Sequence, residues 1–179
     1  MVTRISAQQA ATGAAKKAAK NVRRVVSGTL GLSGERMTKV DTAWLRMDSE
    51  SNLMMIVGVW ILRPGITIGA LRERIESKWL KYDRFLQRVE EDAAGATWIK
   101  DTDFDIERQV VVEKLKRKAK QSDQDALQER VGELAMKPLD RKHPLWQFHL
   151  VENYVGPDRG KVSALIIRIH HCIADGIAL

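Results

Sequence analysis

His170 and His171 stand five and four residues ahead of Asp175 in the run IIRIHHCIADGIAL, and Gly176 completes a His-His-x-x-x-Asp-Gly pattern. An imidazole titrates near pH 6.5 when unperturbed, so it can take a proton from a hydroxyl and return one to a leaving group. The β-branched, apolar residues before the pair read as a strand, on which successive side chains point to opposite faces. Leu165, Ile167, Ile169 and His171 then share one face, and Ala164, Ile166, Arg168 and His170 the other. The two rings therefore cannot play the same part, and one faces a cavity while its neighbour packs or braces. Asp175 can fix the loop by pairing with a base or with backbone amides, and Gly176 supplies the backbone freedom of a tight turn. Histidine and aspartate are also metal ligands, but adjacent strand residues diverge and no third ligand lies near at helical spacing, so no metal site is expected. In the simplest reading the pair merely caps a strand, and the whole heptapeptide weighs against that. His143 and His149 have no comparable partners and read as structural or exposed.

The elements that must position this pair follow from periodicity. Residues 38–48 read as a short helix or turn, Leu53–Leu62 as a buried strand broken by Arg63, Pro64 and Gly65, and Thr67 as the cap of a helix reaching about Tyr82 with Leu71, Ile75 and Trp79 on one stripe. Phe85–Val89 and Thr97–Lys100 are predicted strands around a turn at Ala93–Gly95. The stretch from about Val110 to Met136 reads as mostly helical, interrupted near Ser122, which with Asp125 resembles a capping box. Pro138 ends it, and Leu145–Tyr154 and Val162–His170 are two further strands. The architecture predicted from pattern alone is mixed α and β. The five tryptophans are scattered, which favours core packing over a stacking platform.

Charge divides the chain. Residues 1–36 hold seven bases against one acid, so most of the net +7 sits in that leader and the body from Met37 onward is nearly neutral. This argues against a nucleic-acid surface spread over the fold. Ala15, Ala18, Ala19, Val22, Val25 and Val26 recur at helical spacing opposite Lys16, Lys17, Lys20, Arg23 and Arg24, a basic amphipathic pattern. Such a helix can lie on an anionic membrane or lipid-droplet surface; an organellar transit segment and a solvated tail are the competing readings. The longest apolar run, Leu53–Leu62, is half of what a membrane span of about 20 residues requires. The lone Cys172 excludes an internal disulfide and fits a reducing compartment.

HHCIADG, together with PLDRKHPLW at Pro138–Trp146 and DTAWLRMDSESNLMMIVG from Asp41 to Gly58, resembles the bacterial-type wax ester synthase / acyl-CoA:diacylglycerol acyltransferase family. That family lies within the coenzyme-A-dependent acyltransferases, with chloramphenicol acetyltransferase and peptide-synthetase condensation domains. The likeness runs from about Val40 to Leu179. It implies the N-terminal lobe of a two-lobe α/β sandwich, with a mixed sheet backed by helices. It implies acyl transfer from acyl-CoA, a substrate rather than a cofactor, to diacylglycerol or a long-chain alcohol. The expected location is cytoplasmic, at a membrane or lipid-droplet face, with organellar targeting left open. His171 would be the general base and His170 its support. Asp175 would be mainly structural, Gly176 would leave room in the substrate tunnel, and no acyl-enzyme would form on Cys172. The Pro138–Trp146 stretch would shape the core or acyl pocket. Members of the family are more than twice this length, so the expectation is a fragment lacking the C-terminal lobe and poorly active alone. A noncatalytic lipid-surface or interaction remnant is the alternative.

Overall fold

The computed structural model describes residues 34–156 and 160–174. The basic leader before residue 34, and with it the amphipathic pattern, lies outside the described residues, as do Asp175 and Gly176. Among the described residues no helix is long and apolar enough to cross a membrane.

After β1 (Glu35–Arg36), the chain runs through α1 (Lys39–Met47), β2 (Met55–Leu62), α2 (Ile68–Lys78), a 3-10 turn at Asp83–Leu86, and the hairpin β3 (Gln87–Asp92) and β4 (Gly95–Lys100). It continues with α3 (Ile106–Gln109), β5 (Val110–Val112), α4 (Asp123–Ala135), β6 (Trp146–Val155) and β7 (Lys161–His170). A four-stranded sheet has the order β2-β7-β6-β5, and a three-stranded sheet the order β1-β4-β3. In the larger sheet β7 is antiparallel to both neighbours, whereas β5 runs parallel to β6. The sheet is mixed, as expected for the fold.

Side-chain alternation on β7 divides the core. Leu165, Ile167 and Ile169 pack with Leu71 and Ile75 of α2 and with Phe148. Ala164 and Ile166 pack with Leu127 and Leu134 of α4. Each such aliphatic side chain, fully buried, contributes about 1.5–3 kcal/mol, so both helices are held to the sheet by a few residues at helical spacing. A third cluster joins Leu45 of α1, Ala96 and Trp98 of β4, Leu145 and Cys172, and so ties the small sheet to the loop that follows β7. The helices α2 and α4 start at the predicted caps Thr67 and Ser122, and α1 starts at a further cap, Thr38. Thr38, Thr67 and Ser122 each accept from the amide three residues on, and the Ser122 hydroxyl also donates to the Asp125 carboxylate.

Two differences from the pattern reading have physical causes. Residues 110–136 are not mostly helix. Val110–Val112, three β-branched residues in succession, form a parallel edge strand against Phe148–Leu150. The basic run after it has little besides Leu115 to bury, so the helix begins only at the Ser122 cap. In β6 the register slips between Val151 and Tyr154, with Asn153 at φ 53°. This bulge puts Val151 and Tyr154, three residues apart, on the same α4-facing cluster, which strict alternation would forbid. The hairpin turn does fall at Ala93–Gly95: Gly95 has φ 129°, a conformation that other residues rarely adopt.

Candidate active site

His170 is the last residue of β7 and His171 the first of the turn beyond it. The His171 amide donates to the Met54 carbonyl at 2.9 Å and the His170 amide to Leu145 at 2.9 Å, so both backbones are tied to neighbouring segments. The two rings then part, as alternation requires. His170 is 3% exposed, whereas His171 is half-buried.

The Cys172 amide donates to His170 Nδ1 at 3.0 Å. That nitrogen therefore carries the lone pair, and the neutral ring has its proton on Nε2. Nε2 lies 3.7 Å from Asp48 Oδ2, too far for a hydrogen bond. Burial pushes the His170 pKa down to about 4; the Asp48 charge opposes the shift, and Arg141 and His171 reinforce it. Burial thus favours the neutral ring of His170 at physiological pH.

Asp48, the residue just past α1, organises the surroundings. Its carboxylate accepts from the Met54 amide at 2.9 Å and from Arg141 Nη2 at 3.0 Å, and Arg141 also reaches the Leu45 carbonyl at 3.1 Å. Burial alone would raise the Asp48 pKa, but the Met54 and Arg141 hydrogen bonds, with the His170 and Arg141 charges, hold it below the usual carboxylate value. Met54 links the two halves of the site: its amide is held by Asp48 while its carbonyl holds His171.

The His171 ring stacks on Trp44 of α1, centroids 4.9 Å apart and planes 24° from parallel. His171 Nδ1, His170 Nε2 and Trp44 Nε1 are all buried without a hydrogen-bond partner. A buried polar atom without a partner costs stability, and three gathered around one histidine pair make this a candidate site.

Cys172 is 2% exposed, and burial, with the nearby Asp41, pushes its thiol up to about 12, so it is a poor nucleophile at neutral pH. Past it, Ile173 and Ala174 form one wall of a cavity of about 1030 Å³. Trp79, Tyr82 and Phe85 supply an apolar side, and Lys78 and Lys81 bring positive charge. Among the described residues no three metal-ligating side chains gather.

The structure therefore places His170 and His171 side by side in different environments, while Asp175 and Gly176 fall outside the described residues. Sequence reasoning gave no role to Trp44, Asp48 or Arg141. All three sit inside the two upstream segments, Asp41–Gly58 and Pro138–Trp146, that carried the resemblance, and that shared occurrence was the available signal. The remaining tryptophans differ in use. Trp98 and Trp146 are fully buried, Trp79 packs against Phe85 and Phe148, and Trp60 lies 49% exposed on the edge strand β2. His149 is buried rather than exposed, and His143 contacts Asp101 and Arg108.

A family model described as the wax ester synthase/diacylglycerol acyltransferase catalytic domain matches residues 37–179. The "Probable diacyglycerol O-acyltransferase tgs3" of Mycobacterium tuberculosis is 30% identical over 150 residues, which is 79% of this chain and 52% of that protein. A wax ester synthase/diacylglycerol acyltransferase of Arabidopsis thaliana is 25% identical over 66% of this chain and 23% of its own length. Among solved structures, the wax ester synthase/diacylglycerol acyltransferase of Marinobacter aquaeolei VT8 superposes with a TM-score of 0.64 at 21% identity, over 80% of this chain and 36% of that one. The starter condensation domain of rhizomide synthetase, solved with C8-CoA, gives 0.60 at 18% identity, over 82% of this chain and 32% of its own. These structural likenesses establish the fold. The chain spans about half the length of the mycobacterial relative and about a third of the two solved structures.

Proposed function

Because this chain belongs to the wax ester synthase/diacylglycerol acyltransferase family, we propose that it carries the histidine-bearing part of an acyl-CoA-dependent O-acyltransferase site, with diacylglycerol or a long-chain alcohol as acceptor. The observation that carries the reading is the convergence of three separate segments on one histidine pair: α1 through Trp44 and Asp48, the 137–146 loop through Arg141, and the exit of β7.

His171 is the general base of this proposal. Its Nδ1 is buried, which leaves Nε2 to meet the acceptor hydroxyl. As the hydroxyl oxygen attacks the thioester carbonyl carbon, its proton passes to His171. The tetrahedral intermediate then expels the coenzyme A sulfur, and the imidazolium returns the proton to it. Atoms and charge balance without an acyl-enzyme, in keeping with the buried, high-pKa thiol of Cys172. The cavity along Ile173 and Ala174 offers an apolar wall beside two lysines, a composition suited to an acyl chain with phosphates nearby. Asp175 and Gly176 keep the structural and tunnel-lining roles that the resemblance implies.

The chain covers only part of its relatives, so the isolated 179 residues are proposed to turn over poorly until the rest of the domain is supplied. Release of coenzyme A thiol from acyl-CoA, measured with diacylglycerol or hexadecanol on a chain continued through a complete domain, tests the assignment. His171→Ala should lower turnover by about 10²–10⁴-fold, the usual worth of a positioned base. Equal turnover in the variant removes His171 from the role. Absence of transfer from the continued chain favours the noncatalytic lipid-surface reading. Surface attachment through residues 1–36 is a separate proposal: vesicle or droplet binding that survives their deletion defeats it.

A further inference from the structure

Arg168 is 1% exposed, on the α4-facing side of β7, and is among the largest fully buried side chains of the described residues. A guanidinium does not lose its proton in proteins, so this is a permanent charge inside the fold. Among the described residues no carboxylate lies within ion-pair distance of it. Its Nη1 donates to Gln147 Oε1 at 3.0 Å, its Nη2 donates to the Lys137 carbonyl, and its Nε has no partner. Lys137 follows the C-terminus of α4, whose carbonyl end offers about half a negative charge. That accounts for part of the charge, and buried ions are ordinarily paired in full.

This charge, which no carboxylate answers among the described residues, borders a pocket of about 320 Å³ lined by the 137–146 loop. Its walls include Arg108, Lys137 and Arg168 with one acid, Asp140, while the His143 ring there faces the buried Asp101 carboxylate at 3.2 Å. Arg108 is partly answered by the exposed Asp103 at 3.2 Å, and no ion pair answers Lys137 among the described residues. The pocket thus concentrates positive charge around a buried guanidinium with an open nitrogen, the arrangement that suits a multiply charged oxyanion.

We propose that this pocket binds the phosphate group of a small ligand, with Arg168 at its floor and Arg108 and Lys137 at its sides. The ligand supplies the negative charge that the described residues leave out. The 137–146 loop that lines the pocket also carries Arg141 to Asp48. The inference does not rest on the acyl-transfer reading, because phosphate binding is measured without any turnover.

The test is titration of the whole chain with inorganic phosphate, followed by 31P line broadening and by thermal shift at constant ionic strength. Saturable binding is expected, weakened at least tenfold in a Lys137→Ala/Arg108→Gln variant and unchanged in Lys116→Ala/Lys118→Ala, which alters a basic segment elsewhere. Arg168→Met should abolish the thermal shift; where that variant fails to fold, the wall variant decides alone. Adenosine 3′,5′-bisphosphate competing more tightly than phosphate would identify a coenzyme-type source, and equal competition a free phosphate; either supports the site. Absence of saturable binding, or binding insensitive to the wall variant, overturns it.

Discussion

Two buried histidines of this molecule sit in similar company and end in different states. His149, in the middle of β6, faces the Glu113 carboxylate at 3.0 Å through Nδ1 and Gln147 Oε1 at 3.1 Å through Nε2, and Arg130 Nη2 donates to the same Glu113 oxygen at 3.1 Å. His170, at the end of β7, also has a carboxylate and an arginine beside it, yet only Nδ1 is hydrogen-bonded, and by a backbone amide. Burial drives both imidazoles down to about 4. The difference lies in hydrogen-bond accounting rather than in acidity. His149 faces a side-chain acceptor at each nitrogen, so its neutral ring donates to one of the two, and it reads as a strut between β6 and the residue after β5. His170 leaves Nε2 open next to a neighbour, His171, that also has an open nitrogen. A depressed pKa alone would have flagged both equally; the unsatisfied atoms single out the strand exit.

The largest expected effect tests what the two have in common. An unfolded histidine titrates near 6.5, and the folded value of about 4 means that the native state binds fewer protons between those limits. Stability present above pH 6.5 is therefore lost as pH falls toward 4, by about 3 kcal/mol for His170 over the full window. His149 acts in the same sense, and Asp48 adds a further loss only below its ordinary 3.8. Urea unfolding at pH 7.5 and 4.5 should show a clearly lower midpoint in acid. An unchanged midpoint would mean that both rings are charged inside the fold.

His149→Ala sharpens the contrast. It removes the ring that stands between Glu113 and Gln147, with its one donated hydrogen bond, and leaves a gap under α4, and about 2–3 kcal/mol of stability should go with it. That corresponds to a melting point lower by roughly 5–10 °C for a domain of this size. Turnover per folded molecule of the continued chain should not change. A loss of turnover without a loss of stability would erase the distinction between the two histidines.

What the sequence made legible follows the same division. Elements governed by local rules could be read: the caps at Thr67 and Ser122, the alternation that separates His170 from His171, and the turn at Gly95. Residues 110–121 could not, because an edge strand's pairing is decided by Phe148–Leu150 far along the chain and not by its own periodicity. The Asn153 bulge was hidden for a similar reason, since it depends on the register with β7. In the site, the histidine pair stood out because its members are adjacent. Asp48 and Arg141 meet across 93 positions, and Trp44 stacks on His171 across the fold. No spacing rule connects such residues. Only the recurrence of their segments in a family pattern hinted at them, and it gave them no role.

Asp48 offers a smaller, more specific test, because it reaches both halves of the site. Asp48→Asn keeps an oxygen for the Met54 amide and loses the charge facing His170 and Arg141. As a positioning residue it acts on His171 only through Met54, so we expect kcat to fall about tenfold, or 1.4 kcal/mol in barrier, with KM little changed. The arrangement also predicts that Asp48→Asn lowers the His170 pKa further, because the Asp48 charge is what opposes burial. Imidazole resonances followed by NMR against pH would show that shift. A KM effect with kcat intact would place Asp48 in substrate binding instead.

The smallest expected effect belongs to the residue that chemistry alone would have favoured. Cys172 directly follows the histidine pair, but the group it offers His170 is its backbone amide, which every replacement except proline retains. Its thiol is packed among Leu45, Trp98 and Leu145, and burial holds it protonated. Cys172→Ala should therefore leave turnover of the continued chain within about twofold and cost on the order of 1 kcal/mol in stability, for the loss of one buried sulfur. Iodoacetamide should inactivate the native protein no faster than it inactivates the variant. Abolished turnover in Cys172→Ala, with the fold intact, would require a thioester on this sulfur and would replace direct attack by a two-step transfer.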